Sequence, residues 1–240
     1  MLAYEWETRM RTVIKLGHSF SKGIPGADDI RNQCDVLKRI TQLGHRAVLV
    51  IGGGSLSRNY ISVARELGAD WSECDQVGID FTRLNARLFV IALGDAAHPR
   101  VARDLQELVE LYSSGKVVVM GGLTPGQSTD AVSALAAEAI GADLFIRTLD
   151  VEGVYDRDPK SSNEARRLET VTIEELRRLV AAGGEEAGQY KLLDHIAINI
   201  LARSRIPAVF LDGRNPENIL KAIRGEKIGT MVVYQKDRSP

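Results

Sequence analysis

The chain has 240 residues, a formal net charge of −1 and a hydrophobic fraction of 44%. This length suits one large α/β domain or two small lobes that share a sheet. The near-neutral charge argues against nucleic-acid and membrane-surface partners, because both attract proteins with a basic excess. No apolar run is long enough to span a membrane, and residues 1–9 are polar with mixed charge, unlike a signal peptide. We expect a cytoplasmic protein in which residues 1–9 form an N-terminal extension outside the fold.

Short β-branched runs alternate with helical stretches, which predicts βα units and a mostly parallel sheet. The predicted elements of the first half are strand 12–16, helix 28–43, strand 47–51, helix 55–67, a long helix from Asp75 towards Ala97 and a shorter helix after Pro99. Those of the second half are strand 116–120, a helix from Ser128 to near Gly141, strand 143–148, helices 172–182 and 191–204, strand 208–211, helix 216–223 and strand 230–234. The predicted fold class is α/β, with residues 10–240 as one domain whose lobes span about 10–115 and 116–240.

Three predicted strands end in turns of glycine and other small residues just before a helix, at residues 17–19, 52–55 and 121–129. Such a turn presents unpaired backbone N–H groups and the positive end of a helix dipole to an anion. In a parallel sheet the turns lie along one edge, where α/β proteins bind their ligands. A single turn of this kind can be a simple tight connection. Three together predict a ligand that carries several phosphates.

These turns match no familiar nucleotide-binding motif. The triple glycine at 52–54 lacks the third glycine of GxGxxG, and the chain contains no GxxxxGK[ST] P-loop. Residues 17–21 form a partial GxSxG nucleophile elbow, which offers an α/β-hydrolase as an alternative. This alternative is weak, because Ser21 replaces the final glycine and only one predicted strand precedes the segment.

Four charged residues close to the turns are candidates for chemistry. Lys15 lies inside a β-branched strand, where an unpaired buried charge is costly, so it either faces a phosphate or extends to solvent. Arg58 follows the triple glycine by one helical turn and is placed to bind a phosphate, unless it is an ordinary exposed helix residue. Asp75 and Asp130 are candidates both for helix caps and for carboxylates of the site.

From Met10 to Val233 the sequence resembles the archaeal-type UMP kinases of the amino acid kinase superfamily. The most specific blocks are VIGGG at 50–54 with Arg58, DQVGI at 75–79 followed by TRLNA at 82–86, and MGG at 120–122 followed by PGQSTDAV at 125–132. GVY at 153–155, DPK at 158–160 and Gly229-Thr230 recur more widely in the superfamily. The TRLNA and PGxSTDAV blocks distinguish UMP kinases from the acetylglutamate and aspartate kinases.

The resemblance implies an αβα sandwich around a mostly parallel sheet, with the acceptor UMP in the N-terminal lobe and ATP in the C-terminal lobe. It also implies Mg²⁺ with ATP, formation of UDP in pyrimidine nucleotide biosynthesis, and a homohexamer built as a trimer of dimers. The implied UMP contacts are Gly53, Asp75, Leu123, Thr124, Pro125, Gly126, Gln127, Ser128 and Thr129. The implied ATP contacts are His18, Ser19, Gly54, Arg58, Leu149, Tyr155 and Asp158. The implied catalytic residues are Lys15, which neutralises the phosphoryl group in transfer, Arg58, and Asp130, which orders the cations of the site; no residue is assigned as a metal ligand.

Four residues depart from the family pattern, all on the expected ATP side. His18 replaces a glycine, Leu149 and Asp150 replace a Thr-Asn or Thr-Lys pair, and Glu152 replaces an aspartate. Two alternatives therefore stay open. One is a superfamily kinase for another small phosphate or phosphonate acceptor, although residues 55–60 lack the histidine of the isopentenyl phosphate and fosfomycin kinases. The other is a nucleotide-binding sensor or storage protein with weak turnover, which only the departures support.

Overall fold

The computed structural model describes residues 9–17, 20, 23, 25–182 and 192–234. The strands in this part of the chain are β1 Arg11–Leu16, β2 Arg46–Ile51, β3 Val118–Met120, β4 Leu144–Leu149, β5 Thr170–Thr172, β6 Ala208–Asp212 and β7 Thr230–Val233. The helices are α1 Ala27–Gln42, α2 Gly54–Glu66, α3 Trp71–Leu93, α4 Leu105–Tyr112, α5 Thr129–Ala139, α6 Ile173–Ala182, α7 His195–Ser204 and α8 Glu217–Ile223, with a 3₁₀ turn at Gly94–Ala96.

The strands form one sheet in the order β3-β2-β1-β4-β6-β7-β5. The five strands from β3 to β6 run parallel to their neighbours, β7 is antiparallel to β6, and β5 is parallel to β7. A mostly parallel sheet requires crossover connections, and the helices between the strands provide them. The sequence-based assignment to the α/β class is therefore confirmed.

The sheet is buried on both faces, which explains its continuous apolar runs. Along β2, Val48 and Val50 pack into one core cluster, whereas Leu49 and Ile51 pack into the other. Helices α5 and α7 cover the first face, and α1, α3 and α8 cover the second. This three-layer arrangement leaves the carboxyl ends of the parallel strands free to build a site.

The boundaries differ from the sequence prediction mainly at helix ends. Helix α3 begins earlier than predicted, because Asp70 accepts a hydrogen bond from the Glu73 N–H and Glu73 accepts one from the Asp70 N–H. Asp75 therefore lies inside the helix and does not cap it. Similarly, Ser128 caps α5, so Asp130 is free for another role. The three-residue strand β5 was not predicted, because so short a segment has no periodicity to read.

In the described part of the chain, none of the helices is both long and apolar enough to cross a membrane.

Candidate active site

The triple-glycine turn after β2 lies between the end of β1 and the start of α5. A Cβ atom built on Gly52 would lie 3.3 Å from the Lys15 Nζ and 3.7 Å from the Thr129 Oγ1. Gly54 has φ of +76°, and a Cβ there would lie only 2.3 Å from the carbonyl oxygen of Phe20. Only glycine fits both this backbone conformation and this close approach. The structure thus brings the turns after three neighbouring strands together at one edge of the sheet.

Lys15 is one of two buried cations described at this edge. Its side chain is 3% exposed, so the alternative that it extends to solvent is wrong. The Nζ atom lies 3.4 Å from the carbonyl oxygen of Leu16 and 4.0 Å from Oδ1 of Asp130. Burial lowers the pKa of Lys15 to about 8, with a further lowering by Arg147 and an opposing effect of Asp130. The lysine therefore lies in a setting that favours a partner with negative charge.

Arg147 is a second buried cation of the site, and the sequence analysis missed it. It lies on β4 directly beside Lys15 in the parallel register. Its Nη2 donates to Oδ2 of Asp130 at 3.3 Å, and its Nη1 donates to the carbonyl oxygen of Thr148 at 3.2 Å. A Cβ on Gly17 would lie 1.6 Å from Nη1, so this glycine makes room for the guanidinium. An arginine inside an apolar strand indicates a site residue for the same reason as Lys15 does, so the sequence contained the information needed to predict it.

Asp130 joins the two buried cations. Its Oδ1 lies 3.1 Å from Arg147 Nε, but that N–H donates to the carbonyl oxygen of Leu192. Oδ1 therefore accepts no hydrogen bond from the described residues. The carboxylate partly compensates two positive charges while one oxygen keeps its acceptor capacity.

The TRLNA block of α3 braces two of the turns. Thr82 Oγ1 accepts a hydrogen bond from the Gly122 N–H at 2.6 Å. The amide of Asn85 donates to the carbonyl oxygens of Gly52 and Gly53 at 2.9 and 3.1 Å. Both side chains are buried. The block was used above only as a family marker, and the structure gives it a physical role in positioning the edge of the sheet.

The segment 123–129, the implied UMP loop, is tied to the body of the protein at several points. Asp75 Oδ2 accepts a hydrogen bond from the Gly126 N–H at 2.7 Å. Ser128 Oγ donates to Asp194, which caps α7. The other loop residues, at 123–125, 127 and 129, are half-buried or exposed. Asp75 thus lies against the loop, as the resemblance implied, and its carboxylate holds the loop in place.

Comparisons with known proteins agree with this geometry. The family model of the amino acid kinase family matches residues 10–212. This chain belongs to the amino acid kinase family. It is 43% identical over 224 residues to a protein named uridylate kinase from Methanothermobacter thermautotrophicus, covering 93% of this chain and 99% of that protein. It is 45% identical to one of the same name from Methanoculleus marisnigri, covering 92% and 95%. The crystal structure of uridylate kinase from Archaeoglobus fulgidus is 39% identical, with a TM-score of 0.84 over 93% of this chain and 100% of that one. The resemblance to archaeal-type UMP kinases is confirmed.

The residues that the resemblance assigns to ATP lie in a less enclosed part of the protein than Lys15, Asp130 and the acceptor loop. His18 and Ser19 lie outside the described residues. Arg58 is exposed on α2 and forms no ion pair with any described residue. Leu149 is only 6% exposed and packs in the core. The carbonyl oxygen of Leu149 accepts a hydrogen bond from the Gly213 N–H at 2.9 Å.

The rest of the implied ATP side is a turn-rich segment after β4. Asp158 Oδ1 accepts a hydrogen bond from the Lys160 N–H at 2.8 Å, and the Lys160 ammonium pairs with Asp150. Tyr155 is half-buried, and burial is the main cause that raises its pKa, with Glu152 adding to the effect. These contacts stabilise turns, and they leave the side chains close to the surface.

Two motifs that are widespread in the superfamily contact each other here. A Cβ on Gly153 would lie 2.6 Å from Thr230 Oγ1. The same hydroxyl accepts a hydrogen bond from the Val154 N–H at 2.9 Å. The GVY and Gly-Thr motifs thus form one structural joint that fixes the start of the turn-rich segment to β7.

Proposed function

We propose that this amino acid kinase transfers the γ-phosphoryl group of ATP to UMP and forms UDP and ADP. The observation that carries the proposal is the braced acceptor loop. Relatives named uridylate kinase align along nearly the whole chain. Within that alignment, Asp75 and the TRLNA block hold segment 123–129 and the triple glycine beside the buried ammonium of Lys15.

In the proposed reaction the protein aligns two substrates and stabilises negative charge, since phosphoryl transfer requires little covalent chemistry from the enzyme. The UMP phosphate would lie between Gly53 and the N-terminus of α5, where backbone N–H groups bind anions. Lys15 would neutralise the phosphoryl group during transfer. Asp130 would hold the Lys15 and Arg147 cations in position, and Arg58 would contact phosphate from α2.

We propose that Mg²⁺ enters this site with ATP. No group of three or more metal-binding side chains occurs among the described residues. Asp130 is 19% exposed and its Oδ1 accepts no hydrogen bond from them. Protein-bound Mg²⁺ characteristically uses one or two carboxylates together with substrate phosphates, so the residues present fit an ion that the nucleotide carries. When bound, the ion would supply further neutralisation of phosphate charge.

The remaining implied contacts belong to the same proposal. The acceptor would contact Thr124, Pro125 and Gln127, and the donor would contact Gly54, Tyr155 and Asp158. The two alternatives find less support. The relatives bear the name of a kinase for one acceptor, which favours neither another acceptor nor a sensor with weak turnover.

A coupled assay with a panel of acceptors tests the assignment. We expect UMP to give a higher kcat/KM than AMP, GMP or isopentenyl phosphate when ATP and Mg²⁺ are saturating. A higher kcat/KM for another acceptor would refute UMP as the substrate, even if the protein is a kinase.

We further propose that the protein is a cytoplasmic enzyme of pyrimidine nucleotide biosynthesis and forms a homohexamer as a trimer of dimers. Large apolar side chains are exposed on α2, at its C-terminal cap and on α3 of the single chain, namely those of Tyr60, Val63, Leu67, Trp71, Leu84 and Ile91. Such residues favour burial between copies of a chain. Light scattering should give the mass of six chains in solution, and the mass of one or two chains would contradict the hexamer.

A further inference from the structure

Arg147 and the turns of the proposed UMP site lie on opposite sides of Lys15. The strand order places β2 and β3, which those turns follow, on one side of β1 and places β4 on the other. Lys15 and Arg147 are direct neighbours in the register of β1 and β4. The guanidinium of Arg147 lies against Gly17, because a Cβ atom built there would be 1.6 Å from Nη1 and 2.7 Å from Cζ. Gly17 opens the turn that contains two of the implied ATP contacts.

The two buried cations share one carboxylate. In the described part of the chain, Asp130 is the only carboxylate within 4.0 Å of the Lys15 ammonium, and it is also the only one within that distance of the Arg147 guanidinium. Both basic side chains are less than 10% exposed. One positive charge therefore stays uncompensated in a buried position, which is costly unless an anion binds beside it.

The guanidinium of Arg147 also keeps capacity for further hydrogen bonds. Its Nε donates to the carbonyl oxygen of Leu192, its Nη1 to that of Thr148, and its Nη2 to Oδ2 of Asp130. An arginine side chain has one N–H on Nε and two on each terminal nitrogen. Each terminal nitrogen of Arg147 thus retains an N–H that donates to none of the described residues. Paired terminal N–H groups of this kind suit the oxygens of a phosphate.

We infer that Arg147 is a catalytic residue that binds the β-phosphate of ATP and stabilises the negative charge that leaves with ADP. The inference rests on the proposed function. In phosphoryl transfer the attacking oxygen, the phosphorus and the leaving oxygen lie roughly in line. With UMP held at the turns after β2 and β3, and the transferred group at Lys15, this line continues over β4 and reaches Arg147.

In this step the two cations act on different charges. An ionised phosphate oxygen of UMP forms the new P–O bond, and the bond between the γ-phosphorus and the β,γ-bridging oxygen breaks. The electron pair of the broken bond stays on that oxygen, which becomes part of the β-phosphate of ADP. No proton has to move, because the second pKa of a phosphate monoester is about 6. Lys15 acts on the group in transfer, and Arg147 acts on the leaving oxygen.

Nucleotide binding tests the contact without turnover. AMP and ADP are titrated calorimetrically into wild-type protein and into Arg147→Gln, at one free Mg²⁺ concentration and with UMP saturating so that the proposed acceptor site is blocked. Loss of a charged hydrogen bond to the β-phosphate should weaken ADP binding about tenfold and leave AMP binding nearly unchanged.

Arg46→Gln is the matched control for loss of an arginine that is not fully exposed. Arg46 begins β2 at the opposite end of the sheet, where it stacks on the Tyr112 ring and donates to the Tyr112 carbonyl oxygen. This variant should keep the wild-type affinities for both nucleotides, because its arginine lies away from the glycine turns.

Single-turnover kinetics test the role of Arg147 towards the leaving group. Arg147→Gln should slow UDP formation about 100-fold. Replacing the α,β-bridging oxygen of ATP by a CH₂ group makes the departing phosphate more basic and hence a poorer leaving group. The ratio of the rates with ATP and with this analogue should be larger for Arg147→Gln than for the wild type, because the leaving charge has lost its cation. A purely structural defect would slow both donors by the same factor.

Arg147→Lys serves if Arg147→Gln does not fold. An ammonium can keep the ion pair with Asp130 but lacks the planar set of donors that binds a phosphate at the same time, so the preference for ADP over AMP should again fall. A wild-type preference for ADP in the folded variant would overturn the contact with the β-phosphate. An unchanged donor ratio would overturn the role in leaving-group stabilisation. Absence of UDP formation by the wild-type protein would overturn the proposed function together with this step.

Discussion

The sheet edge formed by the glycine turns with Lys15 and Arg147, here called the acceptor edge, and the turn-rich segment after β4 are both proposed to contact phosphate, but they are built by different physical means. At the acceptor edge, buried side chains of α3, β1 and β4 hold the turns, and Lys15 and Arg147 are each less than 10% exposed. In the turn-rich segment, Arg157 and Lys160 form ion pairs while their own side chains are more than half exposed. Buried charges and hydrogen bonds tolerate little change, whereas exposed ion pairs contribute little.

This difference accounts for two of the four departures from the family pattern, those at Asp150 and Glu152. Asp150 and Glu152 are exposed or paired on the surface, so a substitution there can be accommodated locally. By contrast, the triple glycine, Thr82 and Asn85 each touch several main-chain atoms of the site. The acceptor edge is therefore the preorganised part of the protein, and we expect its variants to have the larger effects.

The largest effect is expected for Lys15→Ala. Removal of the buried ammonium should lower kcat about 100- to 1000-fold, which is typical for loss of one donor that stabilises transition-state charge. The KM for UMP should stay nearly unchanged, because the charge acts on the group in transfer. Steady-state kinetics measure both constants. Lys38→Ala, which removes a lysine paired on the surface of α1, is the control; an unchanged kcat for Lys15→Ala would remove Lys15 from the mechanism.

The next largest effect is expected for Arg147→Leu, on stability. Loss of the arginine breaks a buried ion pair and should lower the free energy of unfolding by about 3 kcal/mol. Arg157→Leu removes an arginine from two exposed ion pairs and should cost less than about 1 kcal/mol. Urea denaturation of both variants compares the two regions directly. Equal losses would show that the acceptor edge is no more tightly constrained than the surface turns.

Asn85→Ala should have an intermediate effect on substrate binding. Its amide donates to two carbonyl oxygens of the triple-glycine turn, and their loss should raise the KM for UMP about tenfold. Asp150→Ala, which breaks the exposed pair with Lys160, should leave the KM for UMP within about twofold. If Asp150→Ala raises this KM more than Asn85→Ala does, the hydrogen bonds from Asn85 to the triple-glycine turn have no role in acceptor binding.

The smallest effect concerns the ionisation of Lys15. Because its pKa is lowered to about 8 by burial, the ligand-free protein should lose this charge as the pH rises from 7 to 9. Bound phosphates favour the cation and should raise the pKa. NMR of protein labelled at the lysine side chains can follow the titration, with Lys15→Met to assign the signal. A lysine pKa near its ordinary value of 10.5 without ligand would contradict the buried setting.

The fold followed from the sequence because its elements are long and periodic. Strands β1 and β2 and helices α1 and α2 differ from their predicted bounds by about one residue, since glycines end them where the pattern stops. The predicted start of α3 was wrong because both Asp70 and Asp75 lie near it and either could cap a helix. The reciprocal hydrogen bonds between Asp70 and Glu73 show that Asp70 is the cap.

Only part of the candidate site could be predicted from the sequence. Lys15 and Asp130 were predicted from an out-of-place charge and from the resemblance, but the position of Arg147 beside Lys15, where it also pairs with Asp130, depends on the register of β1 against β4. A register is a tertiary fact that no local pattern contains. The same holds for Asn85, whose partners lie more than thirty residues away in sequence.

The central claim, that this chain moves a phosphoryl group from ATP to UMP, is tested most directly by ³¹P NMR of the reaction. Wild-type protein with ATP, Mg²⁺ and UMP should produce the signals of UDP and ADP in equal amounts, with no accumulation of inorganic phosphate. Release of inorganic phosphate without UDP would instead indicate a hydrolase, and unchanged substrate spectra would indicate a protein that binds nucleotides without turnover; either result would contradict the account.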